Sequence, residues 1–353
     1  MTREDVLALL LRGEVFQRLD LAGLDLSEVD FGGVITEGTS FRGAKLRGAK
    51  LKEGTFSNCD FSEVDLSGAN LHHLTAHQCS FSRASLAGAN LSAAKLFASN
   101  FEGANLTGVT SPLLMATDTN FDGADLRGSK LDRWMVNKTT FRGTDLRGCV
   151  LEHLAISDAD LSGAKLAGAS FERVVLHQGN LAGQSLRGLT LKNTQLMEAD
   201  LRDVDFSEAT ITQLNVKGSR LEGAQFRKAN ARNAIFVEST MKKCSFEDAD
   251  LQQALFATAK LVECTFDRAN LEMSIWQRAQ AIGCTYRDSK LGYADFSHAD
   301  VTGSDFSGAA LYRTRFHKTK EDAATFGAGR IVALGDDEEL AKAEDWKSRH
   351  AGA

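Results

Sequence analysis

The feature that most constrains this chain is an apolar residue at every fifth position. The series begins at Phe16 and reaches Phe316 without a shift in phase. Its smaller members are Thr36, Ala76, Ser111, Ala116, Ala231 and Ala281. A small side chain usually stands two residues before each of these central positions, with a polar residue between them. Because a helix repeats every 3.6 residues and a strand every 2, a period of five excludes both as the main structure.

A second period, of twenty residues, is superimposed on the first. Phenylalanine recurs at this interval from Phe41 to Phe141, and leucine from Leu26 to Leu186, after which that column changes to Phe206 and its successors. Glycine follows the same interval at Gly48, Gly68, Gly88, Gly108, Gly128, Gly148, Gly168 and Gly188. A coil of four five-residue sides explains both periods, because like residues then stack between coils and glycines occupy turns with positive φ. We expect about 15 coils, with a seam inside one solenoid near residues 190–210.

The repeat unit itself resembles that of a known family. Ala69-Asn70-Leu71 and Ala249-Asp250-Leu251 match the A(D/N)LXX signature of pentapeptide-repeat proteins. The resemblance covers residues 14–318 and implies an all-β fold, a right-handed quadrilateral parallel β-helix with one pentapeptide on each side.

Short helices are predicted at both ends of this repeat region. Residues 1–13 are predicted to form a capping helix, with Thr2 as its N-cap and Asp5 three residues later. The tail at 319–353 is predicted to contain a helix at 336–350, whose first turn is acidic. Since a solenoid must cover its terminal coils, we interpret both helices as caps. Dimerisation, which the C-terminal helix mediates in some members of the family, is the alternative for that helix.

Composition and residue spacing give no indication of an enzyme. The net charge of -6 selects neither nucleic acid nor an anionic membrane, and no apolar stretch is long enough to span a bilayer. All six cysteines stand at the small inward position, so we expect core packing and a reducing cytoplasm. The histidines do not project onto adjacent coils as a ligand set, and no phosphate-binding or nucleophile motif occurs. We therefore expect no catalytic residue, metal, cofactor or small-molecule substrate.

One side of the coil differs from the other three on its outer face. Outward positions on three sides are polar nearly throughout, whereas the side centred on Phe16 and its twenty-residue successors (the fourth side) carries many large apolar residues. The candidate protein-binding residues on this side are Phe97, Met115, Trp134, Met135, Val175, Met197, Ile235, Val237, Leu255 and Ile275. A contiguous exposed apolar stripe is typical of an interface. Local packing, or cover by a terminal helix, is the alternative.

These observations favour a protein-binding scaffold or adaptor, acting on a protein partner or as a homodimer. Residues 19–31 are similar to pentapeptide-repeat segments associated with type VI secretion loci, which implies a role accessory to a secreted effector or a secretion component. Another branch of the family protects DNA gyrase by imitating duplex DNA, and this is the alternative function. That mechanism needs a uniformly acidic surface, but here acids alternate with bases, as in Asp125 with Arg127 and Asp145 with Arg147.

Overall fold

A computed structural model describes residues 1–346 of the chain. The chain forms two compact units, Met1–Asp200 and Leu201–Ala353. The helices are α1 (Arg3–Leu11), a 3-10 helix (Ala328–Val332) and α2 (Glu338–Asp345). The strands are β1 (Phe16–Gln17), β2 (Ile35–Glu37), β3 (Thr55–Ser57), β4 (Thr75–His77), β5 (Lys95–Phe97), β6 (Met115–Thr117), β7 (Lys130–Asp132), β8 (Met135–Asn137), β9 (Val150–Glu152), β10 (Ala155–Ser157), β11 (Ser170–Glu172), β12 (Val175–His177), β13 (Leu191–Lys192), β14 (Gln195–Met197), β15 (Thr240–Lys242), β16 (Lys260–Val262), β17 (Gln280–Ile282), β18 (Asp305–Phe306) and β19 (Thr325–Phe326).

Strand pairing is parallel, and each residue pairs with the residue twenty positions later. Ile156 pairs with Leu176, for example, and Leu261 pairs with Ala281. One coil therefore contains four pentapeptides, and the described residues complete about 16 turns of parallel β-solenoid. The fold class predicted from the sequence is confirmed. The change of core residues expected near 190–210 coincides with the boundary between the two units at Asp200 and Leu201.

The fourth side is the most regular part of the first unit. Its three-residue strands form one ten-stranded sheet in the order β1-β2-β3-β4-β5-β6-β8-β10-β12-β14. A neighbouring side contributes a four-stranded sheet, β13-β11-β9-β7. The second unit contains the sheets β15-β16-β17 and β18-β19. Elsewhere adjacent coils are joined by single parallel bridges, such as Asn70 with Asn90.

The core of each unit is built from stacked central residues. In the first unit the rings from Phe41 to Phe141 stack with centroids 4.5–5.3 Å apart. The second unit has one aromatic column from Phe206 to Phe326 and another from Phe236 to Phe316. Rings in these two columns meet edge to face, so the interior is filled by aromatic contacts in two directions.

The corners of the coil lie in the left-handed region of φ. The predicted glycine column adopts this conformation, with φ of +66° at Gly128 and +67° at Gly188. In the second unit the same corner is occupied on most coils by residues with side chains, such as Lys228 at φ 55° and Asp248 at φ 58°, although Gly308 returns there at φ 73°. Glycine is therefore favoured at these corners but is not required at each of them.

The N-terminal helix α1 contacts the first coil. The Thr2 hydroxyl accepts a hydrogen bond from the Asp5 amide, and the Asp5 carboxylate accepts one from the Thr2 amide, which confirms the predicted cap. Val6 is fully buried, and the Arg3 guanidinium donates to the carbonyls of Asp25 and Ser27. One apolar side chain and one cation thus hold the helix in place.

The C-terminal end has a 3-10 helix that was not predicted, in addition to the predicted helix. The repeat continues past residue 318, since Phe326 pairs and stacks with Phe306. The guanidinium carbon of Arg330, in the 3-10 helix, lies 4.9 Å from the ring centroid of Phe316 and 5.3 Å from that of Phe326. Arg330 therefore covers the last aromatic rings, whereas α2 has no buried residue. The predicted helix at 336–350 is found at Glu338–Asp345, and its last residues lie outside the described part of the chain.

Candidate protein-binding surface

The ten-stranded sheet presents two columns of side chains on its outer face. In each three-residue strand the central residue points into the core, as Leu176 of β12 does, and its two neighbours point outward. The first outward column contains Met115, Met135, Ala155 and Val175, and the second contains Thr117, Asn137, Ser157 and His177. Over β6, β8, β10 and β12 the first column is apolar and the second is polar. Elsewhere in the sheet the columns are mixed, with Lys95 and Gln195 in the first and Phe97 and Met197 in the second.

Most residues predicted for the binding side lie on its outer face. In the first unit Met135 is 57% exposed, and Phe97, Met115, Val175 and Met197 are half-buried. Val15 and Ile35, which lie outside the candidate set at the N-terminal end of the first column, are also exposed, at 54% and 57%. In the second unit the predicted residues Ile235, Val237, Leu255 and Ile275 are all half-buried. The most exposed apolar side chains of the prediction therefore belong to the first unit.

Trp134 does not lie on the outer face, so its inclusion in the prediction was wrong. Only 2% of it is exposed. Its indole Nε1 donates hydrogen bonds to the carbonyl oxygen of Ser111 at 2.7 Å and to the Ser111 hydroxyl at 3.2 Å. Ser111 is one of the small residues at a central position, and the indole occupies the core volume that a leucine would fill there.

Other irregularities in the repeat have the same structural explanation. Leu74 with Ala76, and Leu114 with Ala116, are fully or almost fully buried, so large and small residues exchange places within the core.

All six cysteines are free and buried, as predicted. The Cys149 thiol lies 3.0 Å from the carbonyl of Leu126, and burial raises its pKa to about 11. These thiols pack as small core residues.

A groove lies in the outer face where the apolar column contains its smallest residue. Ala155 stands between Met135 and Val175 on adjacent strands, so the two longer side chains form walls on either side of it. The groove has a volume of about 370 Å³. It is lined by Met115, Thr117, Met135, Val136, Asn137, Ala155, Ile156, Ser157, Val175 and His177. Its exposed lining is largely apolar, and the polar atoms lie along the second column.

The groove does not assemble a nucleophile with a base. His177 Nε2 lies 3.5 Å from Glu198 Oε2, an arrangement in which a carboxylate could orient an imidazole. Ser157 stands one coil earlier in the same column, but within residues 1–346 its hydroxyl makes no hydrogen bond to His177. The surface therefore offers contact area and weak polar contacts rather than an activated group.

A histidine cluster at the C-terminal end was missed by the sequence analysis. Ligand atoms of His298, His317 and Glu344 lie within 4.8 Å of one another. The Asp337 amide donates to His317 Nδ1 at 3.1 Å, so the proton of the neutral ring is on Nε2, which lies 3.4 Å from Glu344. Because a metal would need the Nε2 lone pair and Lys318 Nζ lies 3.2 Å from the same carboxylate, the cluster is arranged as a hydrogen-bonded contact that holds α2.

Acid is expected to loosen α2. The pKa of Glu344 is lowered from 4.5 to about 2, first because His298 hydrogen-bonds to it and then because Lys318 and His317 do. Because the pKa of Glu344 is lower in the folded state than in the unfolded state, these contacts stabilise the folded state fully above pH 4.5. This stabilisation is lost as the pH falls towards 2. Amide-exchange protection of Glu338–Asp345 should therefore fall across this range.

The variant Glu344→Gln should show low protection of α2 already at neutral pH, because it cannot carry the charge that the histidines and Lys318 contact. Glu339→Gln, in the exposed first turn of the same helix, is the matched control and should leave protection nearly unchanged. Equal protection in Glu344→Gln and the wild type would contradict this account of how α2 is held.

Within residues 1–346, no helix has the length and apolar character needed to cross a bilayer.

Comparison with known proteins identifies the repeat. The family model described as pentapeptide repeats (8 copies) matches residues 25–62, 39–73, 77–110, 116–154, 156–183, 176–213, 205–242, 241–275 and 287–320. No protein of curated function matches the chain.

Several solved structures of pentapeptide repeat proteins are similar. HetL, involved in heterocyst differentiation regulation in the cyanobacterium Nostoc sp. strain PCC 7120, is 21% identical over 89% of this chain and 96% of its own, with a TM-score of 0.21. Trypsin-treated QnrB1, a plasmid-mediated fluoroquinolone resistance protein, is 20% identical over 62% and 92%, with a TM-score of 0.26. A protein of the Arabidopsis thaliana thylakoid lumen is 21% identical over 49% and 81%, with a TM-score of 0.11. On the matches to the family model, which extend over most of the sequence, the chain belongs to the pentapeptide repeat family.

Proposed function

We propose that this chain is a non-enzymatic protein-binding scaffold, and that the fourth side of its first unit is the binding surface. The observation that carries the proposal is the groove beside Ala155, with Met135 more than half exposed at its wall. Large apolar side chains standing together on an outer face are costly in water and are typical of interfaces. Methionine adapts its shape to a partner more readily than branched residues do.

The alternative of duplex-DNA mimicry is less well supported. Many carboxylates of the first unit lie against arginines: Asp125 is 2.7 Å from Arg127, and Asp145 is 2.6 Å from Arg147. A DNA mimic must present uncompensated negative charge along its surface, and these pairs cancel it. The finer assignment, to a role accessory to a secreted effector, is supported by the resemblance of residues 19–31.

A single charge on the groove wall tests the proposal. Met135→Glu should weaken binding of the protein partners at least tenfold, because a carboxylate there would have to be desolvated against apolar surface. The full chain is immobilised, partners are recovered from a lysate of the source cells, and their retention is compared between wild type and variant.

Thr110→Glu is the matched control, since Thr110 is exposed at the equivalent outward position of another side and bridges in parallel to the next coil. Proteins retained by the wild type and by Thr110→Glu but lost from Met135→Glu would be partners of the groove. If Met135→Glu retains the same proteins as the wild type, the groove is not the binding surface.

A further inference from the structure

We infer that the partner segment that binds the groove of the first unit is an amphipathic α-helix with lysine or arginine along one edge. This inference rests on the proposed function and adds the chemistry of the partner. It follows from the direction of the apolar column, from the spacing of its side chains, and from the charges on the two corners that border the sheet.

The apolar column fits a helix better than a strand. It runs from Met115 to Val175 across successive coils, which are about 4.8 Å apart. A helix that lies along this direction repeats its contacts every turn, about 5.4 Å, and stays in register to within about 2 Å over three coils. A strand presents side chains on one face about every 6.8 Å and loses register by about 6 Å over the same distance. The sheet's backbone groups are already paired between coils, so strand addition to its outer face has no donors or acceptors to use.

The corner that follows the strands is negatively charged. The exposed charged residues at this corner, which we call the acidic rim, are Asp118, Lys138 and Asp158 on three successive coils and Glu198 two coils further on. Three carboxylates and one ammonium group leave a net negative charge. Glu198 contacts Gln178 and His177, whereas the carboxylates of Asp118 and Asp158 have no ion pair among residues 1–346. Their charge is available to a partner.

The opposite corner is positively charged, and only part of its charge is paired. Arg133 and Arg173 stand there with His153 between them. Arg133 Nε lies 3.7 Å from an Asp132 carboxylate oxygen, and His153 Nδ1 lies 3.3 Å from the other oxygen of that group. The Arg173 guanidinium donates to His153 Nε2 at 3.0 Å, a contact that orients Arg173 without cancelling its charge. The two borders of the groove therefore differ in sign, and the acidic rim selects basic side chains on the edge of the helix that faces it.

The test uses the full chain and two synthetic helical peptides of about 15 residues, roughly four turns. Both have the same leucine stripe, and one edge is lysine in the first peptide and glutamate in the second. Fluorescence anisotropy at low ionic strength should show binding of the lysine-edge peptide about tenfold tighter than binding of the glutamate-edge peptide, with the difference shrinking as salt is added.

Charge reversal on the rim completes the design. The double variant Asp118→Lys/Asp158→Lys should invert the preference between the two peptides. The matched control Glu28→Lys/Glu102→Lys makes the same change in net charge at exposed positions on other sides and should leave the preference unchanged. Equal affinity for both peptides, absence of binding, or a preference that does not follow Asp118 and Asp158 would overturn the inference.

The outcomes separate this inference from the proposed function. If Met135→Glu releases partner proteins while the peptide preference ignores the rim, the groove binds a protein of another kind and only the inference fails. If light scattering shows a dimer that Met135→Glu dissociates, the partner is a second copy, which also overturns the inference. If Met135→Glu changes neither partner retention nor peptide binding, the proposed function itself fails.

Discussion

Replacing Phe246 with alanine is expected to lower the free energy of unfolding of the second unit by about 3–5 kcal/mol, the range for deletion of a fully buried ring. The Phe246 side chain is completely buried, and its ring stacks on Phe226 at 4.5 Å and on Phe266 at 4.6 Å. Its edge contacts a ring of the second aromatic column as well. The stacked neighbours are fixed by the hydrogen bonds between coils, so they cannot collapse into the cavity. Guanidinium unfolding followed by far-UV circular dichroism measures the change.

The control for this prediction is Phe246→Leu. Leucine is the residue that the first unit has in the same column, from Leu26 to Leu186, and the coil accommodates it there. The leucine variant should lose less than half of what the alanine variant loses, because most of the buried volume is kept. If the alanine variant unfolds within about 1 kcal/mol of the wild type, the interior relaxes into the cavity and the rigid-ladder account is wrong.

The architecture was predictable because a coil translates sequence spacing directly into position in space. Phe41 and Phe61 are neighbours in the core because they are twenty residues apart, and the parallel register repeats that offset at every pair. The same relation identified Met135 and Val175 as members of one outward column. In a fold without such a translation, these contacts would depend on tertiary packing that no pattern of spacing reveals.

The features that were missed depend on something other than the period of five. Trp134 was assigned to the surface because it is large at a position where the repeat usually has a small residue. Its indole instead fills the core volume left by Ser111, which stands 23 residues earlier. Cys149 with Leu126, and Thr144 with Phe121, show the same offset in their hydrogen bonds. This offset connects the small inward position of one coil with the preceding coil, and it was the signal that could have placed Trp134 in the core.

Residue spacing alone could not predict the groove or the histidine cluster. The groove exists because one member of an apolar column is alanine, so Ala155 is informative through its small size between two longer neighbours. The cluster unites His298 and His317, which stand at different positions of their pentapeptides, with Glu344 from beyond the repeat. Its formation depends on how the segment after Phe326 folds back, which is set by backbone pairing of Leu334 with Arg315 and by Arg330.

Replacing Tyr286 with phenylalanine is expected to raise the free energy of unfolding of the second unit by about 1–3 kcal/mol, the desolvation cost of an unpaired buried polar group. Tyr286 is fully buried in the aromatic column, 5.1 Å from Phe266 and 4.6 Å from Phe306. Among the described residues its hydroxyl has no hydrogen-bond partner, and burial raises its pKa well above the usual 10.0. Every other residue of this column from Phe206 to Phe326 is phenylalanine, so a phenylalanine side chain fits the column.

The matched control is Tyr293→Phe, because Tyr293 is 51% exposed and its hydroxyl can bond to water. That change should alter the free energy of unfolding by less than about 0.5 kcal/mol in guanidinium titrations of both variants. A gain in Tyr286→Phe alone would establish that the buried hydroxyl opposes folding. A loss of 1 kcal/mol or more would instead mean that the hydroxyl is bonded to a buried water, which phenylalanine would leave without its partner. The sign of the change thus decides whether the single polar atom in this aromatic column is a cost to the fold or an anchor for a water inside it.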